Sequence, residues 1–393
     1  MSQRTKTLII LAWICVTASS LRAVTLEDAA HSVVTSSPLN EASVATMDAN
    51  IQALAPTVNL ANPEIEFENL WGAPGTKMTI GVSQPFDWPG VYSQRTKVAA
   101  AKRQEAIAEN YFNYRQLMWQ AEDLLIQAYY QLQSIELLKV MSQNVDRLHR
   151  TYQRSYELGE GTKLDVKKIQ IQQLDIDAML DECQVEYTRI VGELKQLNPE
   201  IDFAQLLQSL TLATPQLPST EIFSYVNHPA ILLAQAQSTA AEANVELQRR
   251  ENLPAFNIGY RYNREIGDNF HGLSASMTLP LWGNRNKTKA ATAEWNASQV
   301  RLDATAKRIS GEIEQLWATA NKLQNRLNAY HKVLDDDSIM HMLDMALKGG
   351  EMTLMEYLQE VDFFIEAQIK MIATERDLQI NINQLNRYAK HLS

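Results

Sequence analysis

Two stretches of this chain repeat with a period of two, and almost everything else repeats with the period of a helix. Few folds satisfy both. In the stretch from Leu253 to Asn286, Phe256, Ile258, Tyr260 and Tyr262 alternate with Asn257, Gly259, Arg261 and Asn263. A polar turn with Gly267, Asp268 and Asn269 follows. The alternation then resumes, with Leu273, Ala275, Met277, Leu279 and Leu281 on one face and Ser274, Ser276 and Thr278 on the other. Period two is the signature of β-strand, so the stretch predicts a hairpin with one apolar and one polar face. Pro63 to Trp71 and Lys77 to Trp88 predict another. There Ile65 and Phe67 oppose Glu64, Glu66 and Glu68, while Met78, Ile80, Val82 and Phe86 oppose Thr79, Gly81 and Ser83. Each hairpin ends in Pro, Trp and Gly and runs into an Ala-rich helical pattern.

The helical pattern is a heptad. Ile107, Tyr111, Tyr114, Met118, Ala121, Leu125, Ala128, Leu132 and Ile135 step alternately by four and three, and after a skip at Leu138 the steps resume through Met141, Val145, Leu148 and Tyr152. Such stepping predicts helices packed at shallow angles over a long distance. The helix expected from Val91 to about Tyr156 would be a rod of roughly 100 Å. Leu158-Gly159-Glu160-Gly161 breaks it, and a return helix runs from Leu164 to near Asn198-Pro199. From Lys287 to Leu347 the same stepping recurs at Leu302, Ala306, Ile309, Ile313, Leu316, Ala320, Leu323, Leu327, Tyr330 and Leu334. Lys348-Gly349-Gly350 is its turn, and Leu354 to Leu392 its return.

These landmarks pair along the chain: Pro38 with Pro229, Pro63 with Pro254, Pro85 with Pro280, Gly159 with Gly349 and Leu164 with Leu354. One helix-hairpin-helix-helix unit is therefore duplicated. The first copy is expected over residues 24–214, with its hairpin at 63–88 and turn near 159–161. The second is expected over 215–393, with its hairpin at 254–282 and turn near 348–350. Residues 1–23 read as a secretory signal: basic Arg4 and Lys6, an apolar run from Leu8 to Val16, then small residues. That run is shorter than the roughly 20 residues a membrane helix needs, and no other stretch qualifies. Ile14 before Cys15 is a poor lipoprotein context, so no lipid anchor is expected. Any membrane-embedded part must be made of strands. Cys183 is then the lone cysteine, and a buried small apolar role suits it.

Four strands cannot close a barrel, which needs at least about eight, and one copy alone would leave open edges in lipid. The chain is therefore expected to oligomerise, and three copies would supply twelve strands. Trp71, Trp88 and Trp282, with Tyr260 and Tyr262, suit the interfacial aromatic belts. Glu64, Glu66 and Glu68, with Asn257 and Arg261, would line the pore, the acids favouring cations and Arg261 partly offsetting them. Arg95, Lys97, Lys102 and Arg103, and again Arg285, Lys287 and Lys289, crowd the starts of the long helices. Anionic head groups or salt bridges to neighbouring helices would account for them.

A formal charge of −10 argues against a nucleic-acid partner. The seven histidines lack metal-ligand spacing, and there is no nucleophile motif or phosphate loop. No enzyme and no cofactor are predicted. Met340, His341, Met342, Met345, Met352 and Met355 surround the second turn. Their soft donors suit Cu(I) or Ag(I), yet Met342, Met345 and Met352 step as core positions do, and packing is the expected role. Asp335-Asp336-Asp337 reads as a solvated acidic kink, and Phe363-Phe364 as packing. A soluble periplasmic coiled-coil adaptor or scaffold would also explain the helices and the signal, but would leave the apolar faces of both hairpins exposed.

Several stretches carry a resemblance: Asn62-Pro63-Glu64-Ile65-Glu66-Phe67-Glu68; Gln84-Pro85 ahead of Gly90; Leu279-Pro280-Leu281-Trp282-Gly283-Asn284-Arg285-Asn286; and the turn-and-return segments Tyr156 to Gln173 and Leu347 to Gln368. Taken together in duplicated order, the chain resembles the TolC family of outer-membrane efflux proteins, and within it the heavy-metal (CzcC/CusC-like) branch. The resemblance implies a mainly α fold with a small β part. It implies a homotrimer with a twelve-stranded transmembrane β-barrel and long coiled-coil rods forming a periplasmic α-barrel, in a Gram-negative outer membrane. It further implies an exit duct working with a periplasmic adaptor and an inner-membrane transporter of the resistance-nodulation-division type. Gly159, Gly161, Asp165, Gly349, Gly350, Glu351 and Met355 would then form the adaptor-contacting tip and gate. Asp165 falls where the family's first-repeat motif carries an aspartate. The gate's arginine and two aspartates would fall at Glu351, Met355 and Leu358, and its tyrosine at Ala346, so an apolar, Met-lined closure is expected instead. Metal ions, drugs and proteins all remain open as cargo.

Overall fold

The computed structural model describes residues 24–72, 75–219, 223–224, 226–280, 285–334 and 339–389. The signal segment, Trp282 and Asp335-Asp336-Asp337 lie outside the described residues. The elements in chain order are α1 (Leu26–Thr35), α2 (Pro38–Leu54), β1 (Glu64–Gly72), β2 (Gly75–Phe86), α3 (Pro89–Glu157) and α4 (Lys163–Leu197). Then come α5 (Phe203–Ser209), α6 (Pro229–Arg250), β3 (Ala255–Glu265), β4 (Asp268–Thr278), α7 (Arg285–Leu334), α8 (Ile339–Gly349) and α9 (Leu354–Asn386). Helix, hairpin, long helix and return helix thus occur twice. α3 alone has 69 residues, which at 1.5 Å each spans roughly 100 Å. The short α5, capped by Asp202 and burying Phe203 and Leu207, has no counterpart in the sequence reading.

The helices pack into two compact units, and each draws on both halves of the sequence. One comprises the described residues of Met1–Pro38, Leu117–Ile222 and Gln315–Arg387; the other those of Leu39–Gln116, Phe223–Glu314 and Tyr388–Ser393. In the first unit the heptad seam is buried: Met118, Ala121, Leu125, Ala128, Ile135, Met141 and Val145 of α3 are all inside. Leu138, Met141 and Val145 meet Ile169 and Ile176 of α4 and Tyr357, Leu358, Val361 and Ile365 of α9 in one cluster. Asn198, at the end of α4, is fully buried and saturated: its amide donates to the Val33 carbonyl and Ser36 Oγ, and its Oδ1 accepts from the Glu200 N–H. Arg387 of α9 donates to Asp123 of α3 at 2.6 Å and lies over the Trp119 ring.

In the second unit α3 packs on α6 through Val91, Val98 and Leu247. Gln94, nearly buried, donates to the Ala243 carbonyl at 3.1 Å across the same contact. The earlier part of the seam, Ile107 and Tyr111, is exposed there, so the heptad outruns the packing within one chain. The two hairpins lie side by side in one antiparallel sheet of order β1-β2-β3-β4. β2 and β3 join the repeats over ten paired residues, from Lys77↔Glu265 to Phe86↔Phe256. The second turn is tighter than the sequence suggests. Ile266 and Gly267 both have positive φ, and Asp268 already pairs with Glu265.

Candidate functional site

Opposed residues in an antiparallel sheet share a face, so the register assigns every side chain. The rows Glu64-Ser83-Gly259-Ser274, Glu66-Gly81-Arg261-Gly272 and Glu68-Thr79-Asn263-Phe270 lie on one face. Pro85, Asn257 and Ser276 continue it. The rows Ile65-Val82-Tyr260-Leu273, Phe67-Ile80-Tyr262-His271 and Phe86-Phe256-Met277 lie on the other. The apolar face is bare: Ile65 is 80% exposed and Leu273 88%. An isolated soluble chain would have no reason to leave such a surface open.

The structure therefore places Glu64, Glu66, Glu68, Asn257 and Arg261 on a single polar face. Arg261 reaches across Gly81 to Glu66, closing at 2.6 Å between the two hairpins. The crossing depends on Gly81: a Cβ there would meet Arg261 Cγ at 3.3 Å and Glu66 Oε2 at 3.4 Å. Lys77 and Glu265 pair at 3.5 Å on the same face. Glu64 and Glu68 make no ion pair among the described residues, so the face keeps a net negative charge. Sequence reading missed the Glu66–Arg261 contact, because nothing local says that β2 pairs with β3 or in what register.

Of the aromatic set, Trp71 is the next-to-last residue of β1 and Trp88 follows β2, at opposite ends of the sheet, while Tyr260 lies mid-strand in β3 and Tyr262 two residues nearer the turn. Trp88 packs on Phe256 with ring centroids 5.7 Å apart. Together with Phe86, Pro89, Tyr92 and Ile258 they line an open groove of about 600 Å³ that continues the apolar face. Arg95 pairs with Asp87 at 2.7 Å and lies 3.7 Å from Glu251, so the salt-bridge explanation holds for this member of the basic cluster.

The two helical turns are built alike. At the first, Gly159 has φ +79°, Glu160 N–H donates to the Ser155 carbonyl and Gly159 N–H to that of Tyr156. At the second, Gly350 has φ +72°, Glu351 N–H donates to the Ala346 carbonyl and Gly350 N–H to that of Leu347. Both are helix stops with a left-handed residue after the C-cap. Thr162 then caps α4, its Oγ accepting from the Asp165 N–H, and Thr353 caps α9, accepting from the Glu356 N–H.

This equivalence corrects the landmark pairing. Gly159 matches Gly350, not Gly349, and Leu164 matches Met355, not Leu354. Gly349 is the last residue of α8. Asp165 and Glu356 are therefore counterparts, each a carboxylate in the third position of a capped helix. Gly161 and Glu351 sit within the turns, and Leu164 and Met355 are both exposed. Leu358, one of the positions aligned with the gate, is only 4% exposed and belongs to the core. The Met cluster also divides. Met340 and Met352 pack on that core, whereas Met342 and Met345, expected inside, are 52% and 56% exposed.

Tyr357 Oη donates to Asp344 at 2.8 Å, tying α9 to α8, and burial ahead of that carboxylate raises its pKa. Burial likewise raises the Cys183 thiol. Among the described residues no group of three or more His, Cys, Asp or Glu is placed to hold a metal ion, and no helix is long and apolar enough to cross a membrane.

A sheet with one apolar and one acidic face, carried on long paired helices, defines a strand-and-helix fold that can be set beside known proteins. Comparison with known proteins agrees. Residues 224–389, most of the second repeat, match the model of the outer membrane efflux protein family. The fold of nearly the whole chain is that of solved outer-membrane channels. The CmeC outer membrane channel of Campylobacter jejuni superposes with a TM-score of 0.75 at 12% identity, over 94% of this chain and 87% of its own. CusC, described for its folding and transmembrane channel formation, gives 0.74 at 13% identity, over 93% and 92%. The outer membrane protein VceC of Vibrio cholerae gives 0.69 at 15% identity, over 92% and 95%. No curated protein matches the chain in sequence. The resemblance read from the sequence agrees with these matches.

Proposed function

We propose that the protein is the outer-membrane exit duct of a tripartite efflux pump, a passive conduit built as a homotrimer. The observation that supports this best is the four-stranded sheet itself. Its edges, β1 and β4, are free to pair with further copies, one face is bare and apolar, and the other is acidic. Three copies closing edge to edge would put the apolar face against lipid and Glu64, Glu66, Glu68, Asn257 and Arg261 in the lumen. A periplasmic adaptor and a resistance-nodulation-division transporter would complete the pump, with the turns at Gly159 and Gly350 as the docking tip. Cations, heavy-metal ions among them, are the cargo that the acidic face favours. A soluble scaffold is disfavoured by the same bare face.

Membrane fractionation and crosslinking in detergent test the reading. A trimer in the outer-membrane fraction is expected. Extraction into plain buffer as a monomer would remove both the barrel and the duct. For the partners, co-purification should bring down an adaptor, and neighbouring-gene identity should name the transporter.

A further inference from the structure

α8 is amphipathic in an unusual way. Ile339, Met340, Leu343 and Leu347 turn inward onto the core that α3, α4 and α9 share. The opposite side should carry charged or hydrogen-bonding groups. Here His341 and Lys348 supply such groups, but Met342 and Met345 lie among them, and all four are exposed. At about 100° per residue His341, Met342 and Met345 fall within an arc of roughly 100° round the helix, and His341 and Met345, four apart, have Cβ atoms about 5–6 Å from each other. The sequence pattern alone assigned Met342 and Met345 to the core. Their exposure removes that explanation and leaves two thioethers and an imidazole together on a solvent face.

We propose that His341, Met342 and Met345 form a contact site for a soft monovalent metal ion, Cu(I) or Ag(I). Two sulfurs and one imidazole nitrogen are the donor set that selects such ions over hard cations. All three ligands are neutral, so the bound ion keeps its single charge and no proton leaves when the imidazole is already in its neutral form. The helix is held from behind by its partly buried side and by the hydrogen bond from Tyr357 to Asp344, which gives the three donors a platform. All three are exposed, so the site is open and suits transient contact with passing cargo. This deepens the exit-duct reading by naming the ion class.

The test uses the full-length trimer in detergent, with Cys183→Ser to remove the one competing thiol among the described residues, and Ag(I) as the probe. With ¹³C-methyl methionine, the Met342 and Met345 methyl resonances should shift together and saturate near one equivalent per protomer, while Met277 and Met355 stay still. Met342→Leu and Met345→Leu should each weaken binding by about tenfold or more, and His341→Gln by a similar factor, since even groups behind a ligand are worth that much. Zn(II) should leave these methyls unmoved. Equal shifts at every exposed methionine, or unchanged affinity in Met342→Leu/Met345→Leu, would overturn the site. Leucine preserves volume and helix propensity, so the variant is expected to fold. Because the binding measurement involves no transport, its failure leaves the duct standing, and failure of the duct leaves the binding result intact.

Discussion

At the scale of single residues, two glycines set the second helical turn and one arginine sets the charge of the polar face. Gly350, with φ +72°, sits where a side chain costs about 1–2 kcal/mol. Gly349 does not, and a Cβ there would meet only the side chain of Glu351 at 3.7 Å. Gly350→Ala should therefore lower stability by about 1 kcal/mol in denaturant titration, and Gly349→Ala should change it by less. The reverse order would undo the structural match between Gly159 and Gly350. Arg261 is the cation that spans the hairpins over Gly81. Its pair with Glu66 is half-exposed, so it adds at most about 1 kcal/mol to stability, and its larger effect is on the charge of the face. Arg261→Gln should shift the planar-bilayer reversal potential further towards cations. Glu64→Gln, Glu66→Gln and Glu68→Gln combined should shift it towards anions. If neither moves it, these residues do not line the pore.

At the scale of elements, the start of α9 is the place to probe. Thr353 and Glu356 form a reciprocal cap: Thr353 N–H donates to Glu356 Oε2 at 2.8 Å, and Glu356 N–H to Thr353 Oγ1 at 3.3 Å. Thr353→Ala should cost about 1 kcal/mol. The Thr353 N–H, then its hydroxyl, hold the Glu356 carboxyl below its ordinary pKa. A depressed acid stabilises the fold above its unfolded pKa, and the contribution fades as pH falls through the lowered value. Acidification across that window should loosen the turn in wild type and leave Glu356→Gln less pH-dependent, as read by amide exchange at the turn. Behind the cap, Leu358 is buried among Leu138, Tyr357 and Val361. Leu358→Ala should cost about 2–5 kcal/mol, the amount for a core leucine, with no increase in channel conductance. An open channel in that variant would return Leu358 to the gate.

At the scale of the whole molecule, the proposed assembly would cover what one chain leaves bare. Leu164, Ile171, Ala178 and Val185 of α4 recur every seven residues, and with Leu174 they form an exposed apolar stripe. A heptad stripe on a helix surface is made to meet another helix, and in the proposed trimer a second copy is that partner. Ile171→Asp with Val185→Asp should convert the detergent-solubilised trimer to monomer by size exclusion with light scattering, with helical circular dichroism retained. A persistent trimer would move the contact elsewhere.

The alternation in Phe256 to Tyr262 and in Glu64 to Glu68, the heptads of α3 and α7, and the glycine turns are local patterns. Backbone periodicity dictates them, so the sequence alone settled the mainly helical class, both hairpins and the polar and apolar side of each strand. Resemblance added the likeness to outer-membrane efflux proteins. Four things were decided only by the tertiary structure. They are the β2–β3 junction, the reach of Arg261 over Gly81 to Glu66, the equivalence of Gly159 with Gly350, and the outward face of Met342 and Met345. Each depends on residues far apart in the chain coming together, or on which of two adjacent glycines takes the left-handed turn. A heptad also marks more positions as apolar than one chain can cover. Packing of α8 against α3, α4 and α9 determined which of its methionines went inside, because only one arc of the helix fits that core.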